Sequence, residues 1–296
     1  MTTAPPSPAP IGFNDLLSRS WALFKRNWAI ALPPVIATMI FLVMIGAFTA
    51  AIVVAAIAKA GAPRASGTDA FIGLMVLGLL LCLVLGLVLI LWGHLAMYGM
   101  ADAAWSRGTA TFADGFSAFR TRFGASLLAL IGIIGLGFAA LILMFPTLGL
   151  ALLALPLVTM YVFPSVVSGG RGGFEAIGES FRLVRRFFVS SAVTLLILYA
   201  IAYGLGFLGA IGIVPLEFAM MPGGSNAPPV IPPLPMIVVC GGIYFASILV
   251  SLAYGGFQAV VLVGLYRDLM AQPPKEEPLP VRPPGTLPPP NAIMPS

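Results

Sequence analysis

The sequence predicts an all-α, polytopic integral membrane protein, with six transmembrane helices arranged as three repeats of one amphipathic helix and one transmembrane hairpin. Three observations predict it. Only 8% of the 296 residues are charged, against roughly a quarter in a soluble domain, and this excludes a soluble globular enzyme. Six uncharged apolar runs reach the roughly 20 residues that a helix needs to cross a bilayer. Lys and Arg crowd alternate connections and nearly vanish from the others.

The elements follow in order. Residues 1–10 are rich in proline and small residues, cannot build a packed core and are expected to be disordered. A membrane domain spans 11–269, beginning with an interfacial helix at 12–28 and a first span at 32–58. Arg19, Lys25 and Arg26 lie in the roughly 30 residues ahead of that span, so it is expected to stay in the membrane rather than be cleaved as a leader. The second span is 70–100. A second interfacial helix, 111–123, leads into a third span, 124–145. Phe145, Pro146 and Thr147 separate it from a fourth, 147–167; proline stops a helix, which predicts a tight hairpin, with one broken or re-entrant segment as the other reading. A third interfacial helix, 174–187, precedes a fifth span, 188–214. The proline-rich stretch Pro222 to Pro235 is expected to be a disordered loop before a sixth span at 235–266. The tail, 270–296, contains PLPVRPP and is either a solvated linker or a ligand for an aromatic groove.

Charge sets the orientation. Arg19, Lys25 and Arg26, then Arg107, Arg120 and Arg122, then Arg171, Arg182, Arg185 and Arg186, and finally Arg267, Lys275 and Arg282 make 13 of the 15 cations on one side. Lys59 and Arg64 alone face the other. Both termini are therefore expected in the cytoplasm, in a bacterial inner membrane. The net charge of +5 follows from this topology; no basic stripe with interleaved aromatics points to nucleic acid. Cys82 and Cys240 lie inside apolar runs and read as small packing residues rather than a disulfide or metal pair.

Self-similarity accounts for the interfacial helices. Phe13 to Trp28 (FNDLLSRSWALFKRNW), Phe112 to Phe123 (FADGFSAFRTRF) and Phe174 to Phe188 (FEAIGESFRLVRRFF) each precede a pair of spans. At about 100° per residue, each gathers its aromatics on one side and its charges on the other. In the first, Phe13, Leu16, Leu17, Trp21, Leu23, Phe24 and Trp28 oppose Asp15, Ser18, Arg19, Lys25 and Arg26. In the second, Phe112, Phe116, Phe119 and Phe123 form a narrow stripe, and Thr111 with Asp114 has capping-box spacing. In the third, Phe174, Ile177, Phe181, Val184 and Phe188 oppose Glu175, Glu179, Arg182 and Arg186. Such helices lie at the lipid surface with rings at headgroup depth, or collar the bundle; the sequence leaves both open.

The run YVFPSVVSGGRGGFEAIGESFRLVRRFF and the segment SWALFKRNW resemble a bacterial family of six-span membrane proteins related to the membrane domain found beside glycerophosphoryl diester phosphodiesterases. The resemblance covers about Ile11 to Leu269. Ser168 stands where that pattern often has Glu, and Phe187 where it often has Asn, which Asn27 keeps in the first copy. No enzyme comes with the resemblance, because no stretch has the length or composition of a phosphodiesterase barrel.

Two polar constellations remain. His94, Tyr98 and Asp102 share one face of the second span, as a proton or cation path or as an interfacial belt with Trp92 and Trp105. On the sixth span Tyr244, Ser247, Ser251, Tyr254 and Gln258 fall within an arc of roughly 80°, expected to face the bundle interior as glue or as a groove lining. Pro156 and Pro164 are expected to kink the fourth span. Gly204, Gly206 and Gly209 spell GxGxxG, but inside an apolar span they read as close packing rather than a dinucleotide site.

The sequence thus predicts a non-catalytic module without cofactor or metal. Arg19, Lys25, Arg26, Arg120, Arg122, Arg182, Arg185 and Arg186 are the candidates for contact with anionic membrane lipids, and partner membrane proteins or a second copy are the other partners expected. A small-solute or lipid transporter lined by spans 4 and 6 is the alternative. Topology is directly testable: alkaline phosphatase inserted at Arg64 is expected to be active and a fluorescent protein fused after Ser296 to fluoresce, whereas the opposite pattern reverses the orientation.

Overall fold

The computed structural model describes residues 12–60, 68–220 and 233–272. Among these the chain is helical throughout, with no strand. The helices are α1 (Phe13–Arg26), α2 (Leu32–Ala60), α3 (Thr68–Arg107), α4 (Phe112–Leu143), α5 (Leu150–Thr159), α6 (Val162–Val167), α7 (Gly173–Arg186), α8 (Phe188–Met220) and α9 (Leu234–Ala271). Six stretches are long and apolar enough to cross a membrane: Trp28–Ile57, Ile72–Arg107, Phe112–Leu143, Leu150–Val167, Phe188–Pro215 and Leu234–Ala271. The architecture is that of a multi-pass membrane protein. Residues 1–10, Arg64, most of the loop after Pro222, and the tail from Pro273 lie outside the described residues.

Consecutive helices pack on one another, α2 on α3, α3 on α4, α4 on α5 and α8 on α9, and α3 also packs on α9. The packed core sits at one end. Met97 to Ala104, Met160 to Val166, Leu183 with Val184 and Ala259 to Leu269 bury there together with Leu16 and Ile30. Towards the other end Leu74, Leu77, Phe207 and Val238 are exposed. Lipid tails are as apolar as leucine, so those surfaces need no protein cover. The packed end also carries most of the Lys and Arg, and is called the basic end below.

Polar joints close that end. A 3-10 turn, Trp28–Ala31, links α1 to α2 through Asn27, whose amide nitrogen donates to Leu23 O (3.0 Å) and Gly108 O (3.2 Å) while its oxygen accepts from Ala110 N (2.8 Å). One side chain thus ties the α1 break to the loop between α3 and α4. Trp105 of α3 donates its indole N–H to Val260 O at 2.7 Å, laying its ring over Gly264, where a Cβ would collide with it.

The fourth span is broken rather than merely kinked. Pro156 sits inside α5, and the chain leaves helix at Met160 and Tyr161 before α6. Pro164 explains the position: it has no N–H for Met160 O, and its ring clashes with that carbonyl in a continuous helix. Ser180 of α7 repairs the gap, accepting from Tyr161 N (3.2 Å) and donating to Val158 O (2.5 Å). Between α4 and α5 the chain turns through residues 144–149, where Gly149 takes a φ of +85°.

Two expectations need correction. The interfacial helix at 111–123 and the span at 124–145 are one uninterrupted helix, α4, which passes beneath α7 with Gly173 seated against Ala125 O and Ala129 N. The larger correction concerns α7. Periodicity places Glu179 on the solvated face, yet Glu179 is 2% exposed, while Phe174 and Phe181 point outward. The side packed on the bundle carries Gly173, Ala176, Glu179, Ser180, Leu183 and Val184, and its small members let the backbones approach closely in lipid.

Replacing Ser180 with Ala is expected to leave Val158 O and Tyr161 N unpaired and to lower stability by about 1–2 kcal/mol. Thermal unfolding in detergent measures it, with Ser190→Ala, on exposed α8 surface, as the silent control.

Candidate functional site

The helix termini bring the cations to one end. α1 and α7 are both 14 residues long, each carries a carboxylate in its first turn (Asp15, Glu175) and a basic pair in its last (Lys25 with Arg26, Arg185 with Arg186), which matches the helix dipole. In α4 the backbone N–H and hydroxyl of Thr111 both donate to Asp114, at 2.9 and 2.8 Å, while Arg107 reaches the same carboxylate at 2.7 Å.

Of the eight headgroup candidates, Arg19, Lys25, Arg26, Arg120, Arg182, Arg185 and Arg186 are exposed, and Arg122 is half-buried. Some are also held by the protein. Arg19 stacks 4.8 Å from the Trp105 ring centre, Lys25 lies 5.8 Å from that of Trp21, and Arg186 lies 4.9 Å from that of Phe187. Arg122 donates to Gly170 O at 3.3 Å, and Arg182 stands 3.9 Å from Glu179. Arg107 and Arg122 line a polar cleft of about 230 Å³ with Ser106, Ser117 and Thr121. Around these cations Trp21, Trp28, Phe112, Phe116, Phe174, Phe181 and Phe188 are exposed.

Beneath the cations lie two ion pairs. Arg267 grips Asp102 through Nε (3.0 Å) and Nη2 (2.6 Å), joining α9 to α3. Buried Glu179 accepts the Tyr266 hydroxyl at 2.6 Å and stands 2.5 Å from Arg171 Nε, so α7, α9 and the loop after α6 meet on one carboxylate. The Arg171 contact is ionic rather than an aligned hydrogen bond, which leaves Glu179 Oε2 without a directed donor. Sequence reasoning missed this centre by assigning Glu179 to water. The available signal was the small-residue spacing Gly173, Ala176, Ser180, which marks the packed face and carries Glu179 with it.

No family model, curated protein or solved structure matches this chain.

The groove candidates divide. His94, Tyr98 and Gln258 do meet, around a cavity of about 310 Å³ whose wall includes Pro156, Thr159 and Tyr199. His94 contacts Ile90 O through Nδ1 at 2.9 Å, and Tyr98 stacks on Phe163. Asp102 is not among the lining residues and is engaged by Arg267. The remaining stripe is not a groove: Tyr254 donates to Leu198 O at 2.6 Å, Ser247 bonds its own helix at Tyr244 O, and Ser251 and Tyr244 are exposed. Tyr254 thus ties α9 to buried Leu198 of α8, and of the stripe only Gln258 lines the cavity. Among the described residues, no group of three or more His, Cys, Asp or Glu side chains comes together as a metal site.

Glu179→Leu is expected to orphan the Tyr266 hydroxyl and Arg171 and to cost about 3 kcal/mol, with Glu179→Gln milder because it keeps an acceptor for Tyr266. Thermal midpoints in one detergent rank them; equal midpoints for all three proteins refute a binding role for this carboxylate in the bundle.

Proposed function

We propose that the protein is a non-catalytic module of a bacterial inner membrane that engages anionic lipids at the cytoplasmic surface through three amphipathic segments, α1, the start of α4, and α7. One observation carries the reading: Trp21, Trp28, Phe112, Phe116, Phe174 and Phe181, in or at the ends of these segments, are exposed beside exposed Arg and Lys, while Phe24 packs on Phe257 of α9. In water, exposed Trp and Phe beside cations would be costly. At a bilayer surface, rings occupy headgroup depth while guanidinium groups meet lipid phosphates. Other membrane proteins, or a second copy, are the remaining partners these faces suit.

The threefold repeat belongs to the same reading. What supports it is the match of its first and third copies: a shift of 160 positions lays Gly12–Asn27 on Gly172–Phe187, aligning Asp15 with Glu175 and buried Ser20 with buried Ser180. The junctions agree in conformation, with φ −122° and ψ 43° at Asn27 and φ −123° and ψ 44° at Phe187. Kinship with the membrane domain found beside glycerophosphoryl diester phosphodiesterases is also part of the reading and rests on the same segments. The second reading, a small-solute or lipid transporter, draws on the cavity where Pro156, His94, Tyr98 and Gln258 meet.

Native mass spectrometry of protein extracted with its own lipids tests the headgroup contact. The Arg182→Ala, Arg185→Ala, Arg186→Ala triple variant is expected to lose retained anionic lipid by up to about 100-fold, at roughly 1 kcal/mol per cation. Equal retention by variant and wild type overturns it.

A further inference from the structure

We infer that the cavity beside Tyr98 and the groove next to it form one binding site for a single uncharged amphiphile: a hydroxyl- or ester-bearing head among Tyr98, Gln258 and His94, and a hydrocarbon chain along α5 and α8. The inference depends neither on headgroup contact at the basic end nor on transport. The two hollows, about 310 and 450 Å³, adjoin through Pro156, Leu195 and Tyr199, which line both. Each is within the size range of small-ligand sites.

The polar part asks for a partner. Tyr98 is 8% exposed, and among the described residues no hydrogen bond reaches its hydroxyl or the amide of Gln258. His94, exposed on α3, lies at the mouth of the cavity and contacts Ile90 O of its own helix through Nδ1. Bulk water is absent from a bilayer interior, so unpaired hydroxyl and amide groups there are costly unless a bound molecule meets them.

The same walls select the head. Neither hollow is lined by Asp, Glu, Lys or Arg, so a phosphate or ammonium would be desolvated without a counter-ion. Tyr98 and Gln258 each stand about 14 Å along their helices from Arg107 and Arg267, at 1.5 Å per residue, below the level that those cations mark. The class that fits is a monoacylglycerol, diacylglycerol or long-chain alcohol.

The groove supplies access and chain contact. Leu153, Leu196 and Tyr203 on its rim are 73, 71 and 74% exposed, so it opens sideways to the hydrocarbon and a lipid reaches it without crossing water. The helix break after Thr159, held by Ser180, sits directly beside Pro156 on the shared wall.

The test uses the full chain in lipid nanodiscs with mono-oleoylglycerol carrying a diazirine in its acyl chain. Label is expected on Leu152–Leu157 and Ala192–Tyr203, competed by unlabelled mono-oleoylglycerol. Ala192→Trp, or Leu153→Trp on the exposed rim if the first fails to fold, is expected to reduce that label at least fivefold. The Tyr98→Phe, Gln258→Leu double variant is expected to weaken competition about tenfold while retaining the wild-type thermal midpoint. Equal labelling of α2, which lines neither hollow, marks annular lipid only and overturns the site. So does undiminished labelling of a folded Trp variant, and equal competition by oleoyl phosphate overturns the uncharged head. The triple arginine variant is expected to label like wild type, which separates this site from headgroup contact.

Discussion

In lipid, apolar contact between helices competes with equally apolar acyl chains, so the bundle depends on polar groups that have nowhere else to go. The joints at the basic end follow from that constraint. Asn27 binds two carbonyls and one amide; Trp105 reaches across to Val260; Asp102 and Arg267 close on each other; Glu179 gathers Tyr266 and Arg171. Each replaces water that the hydrocarbon does not offer. Away from these joints, the outer parts of α3, α8 and α9 expose leucine, phenylalanine and valine directly to lipid.

The broken fourth span shows the same constraint acting on backbone. A soluble protein leaves an interrupted helix to water, whereas here Ser180 serves both the orphan carbonyl of Val158 and the orphan amide of Tyr161. The Tyr161 hydroxyl then pairs with Ser191 on α8, 2.8 Å away. Because α7 supplies the repair, a segment that reads as a surface helix is also a structural clamp. Packed and exposed residues occupy opposite sides of one helix: Ala176, Glu179, Ser180 and Leu183 inward, Phe174 and Phe181 outward.

This two-sidedness shapes what the site offers. Cations surrounded by outward rings suit a lipid surface, while the ion pairs beneath them fix the helices that carry those cations. The cavity lies deeper, where Gln258, Tyr98 and His94 converge with no charged neighbour on the wall. Chemistry at the two levels differs accordingly, charged and wet above, uncharged and dry below.

Composition, span lengths and the alternation of Lys and Arg determine the class of this protein without any tertiary information, because each is a property of a helix alone in a bilayer. The spans, the breaks near Pro146 and Pro164, and the segments ahead of the first and fifth spans are all legible in that way. What a helix does with its two sides is not. Hydrophobic periodicity places Phe174 and Phe181 opposite Glu179, but in lipid the apolar side is not automatically the buried one, so only packing decided that Glu179 goes in and the rings go out. Packing also decided that α4 runs on without a break against Gly173 of α7, and that Gln258, of five polar residues on α9, joins His94 and Tyr98 while Asp102 is claimed by Arg267. The physical reason is common to all three. A period specifies which residues share a face, and only the neighbouring helix specifies what that face meets.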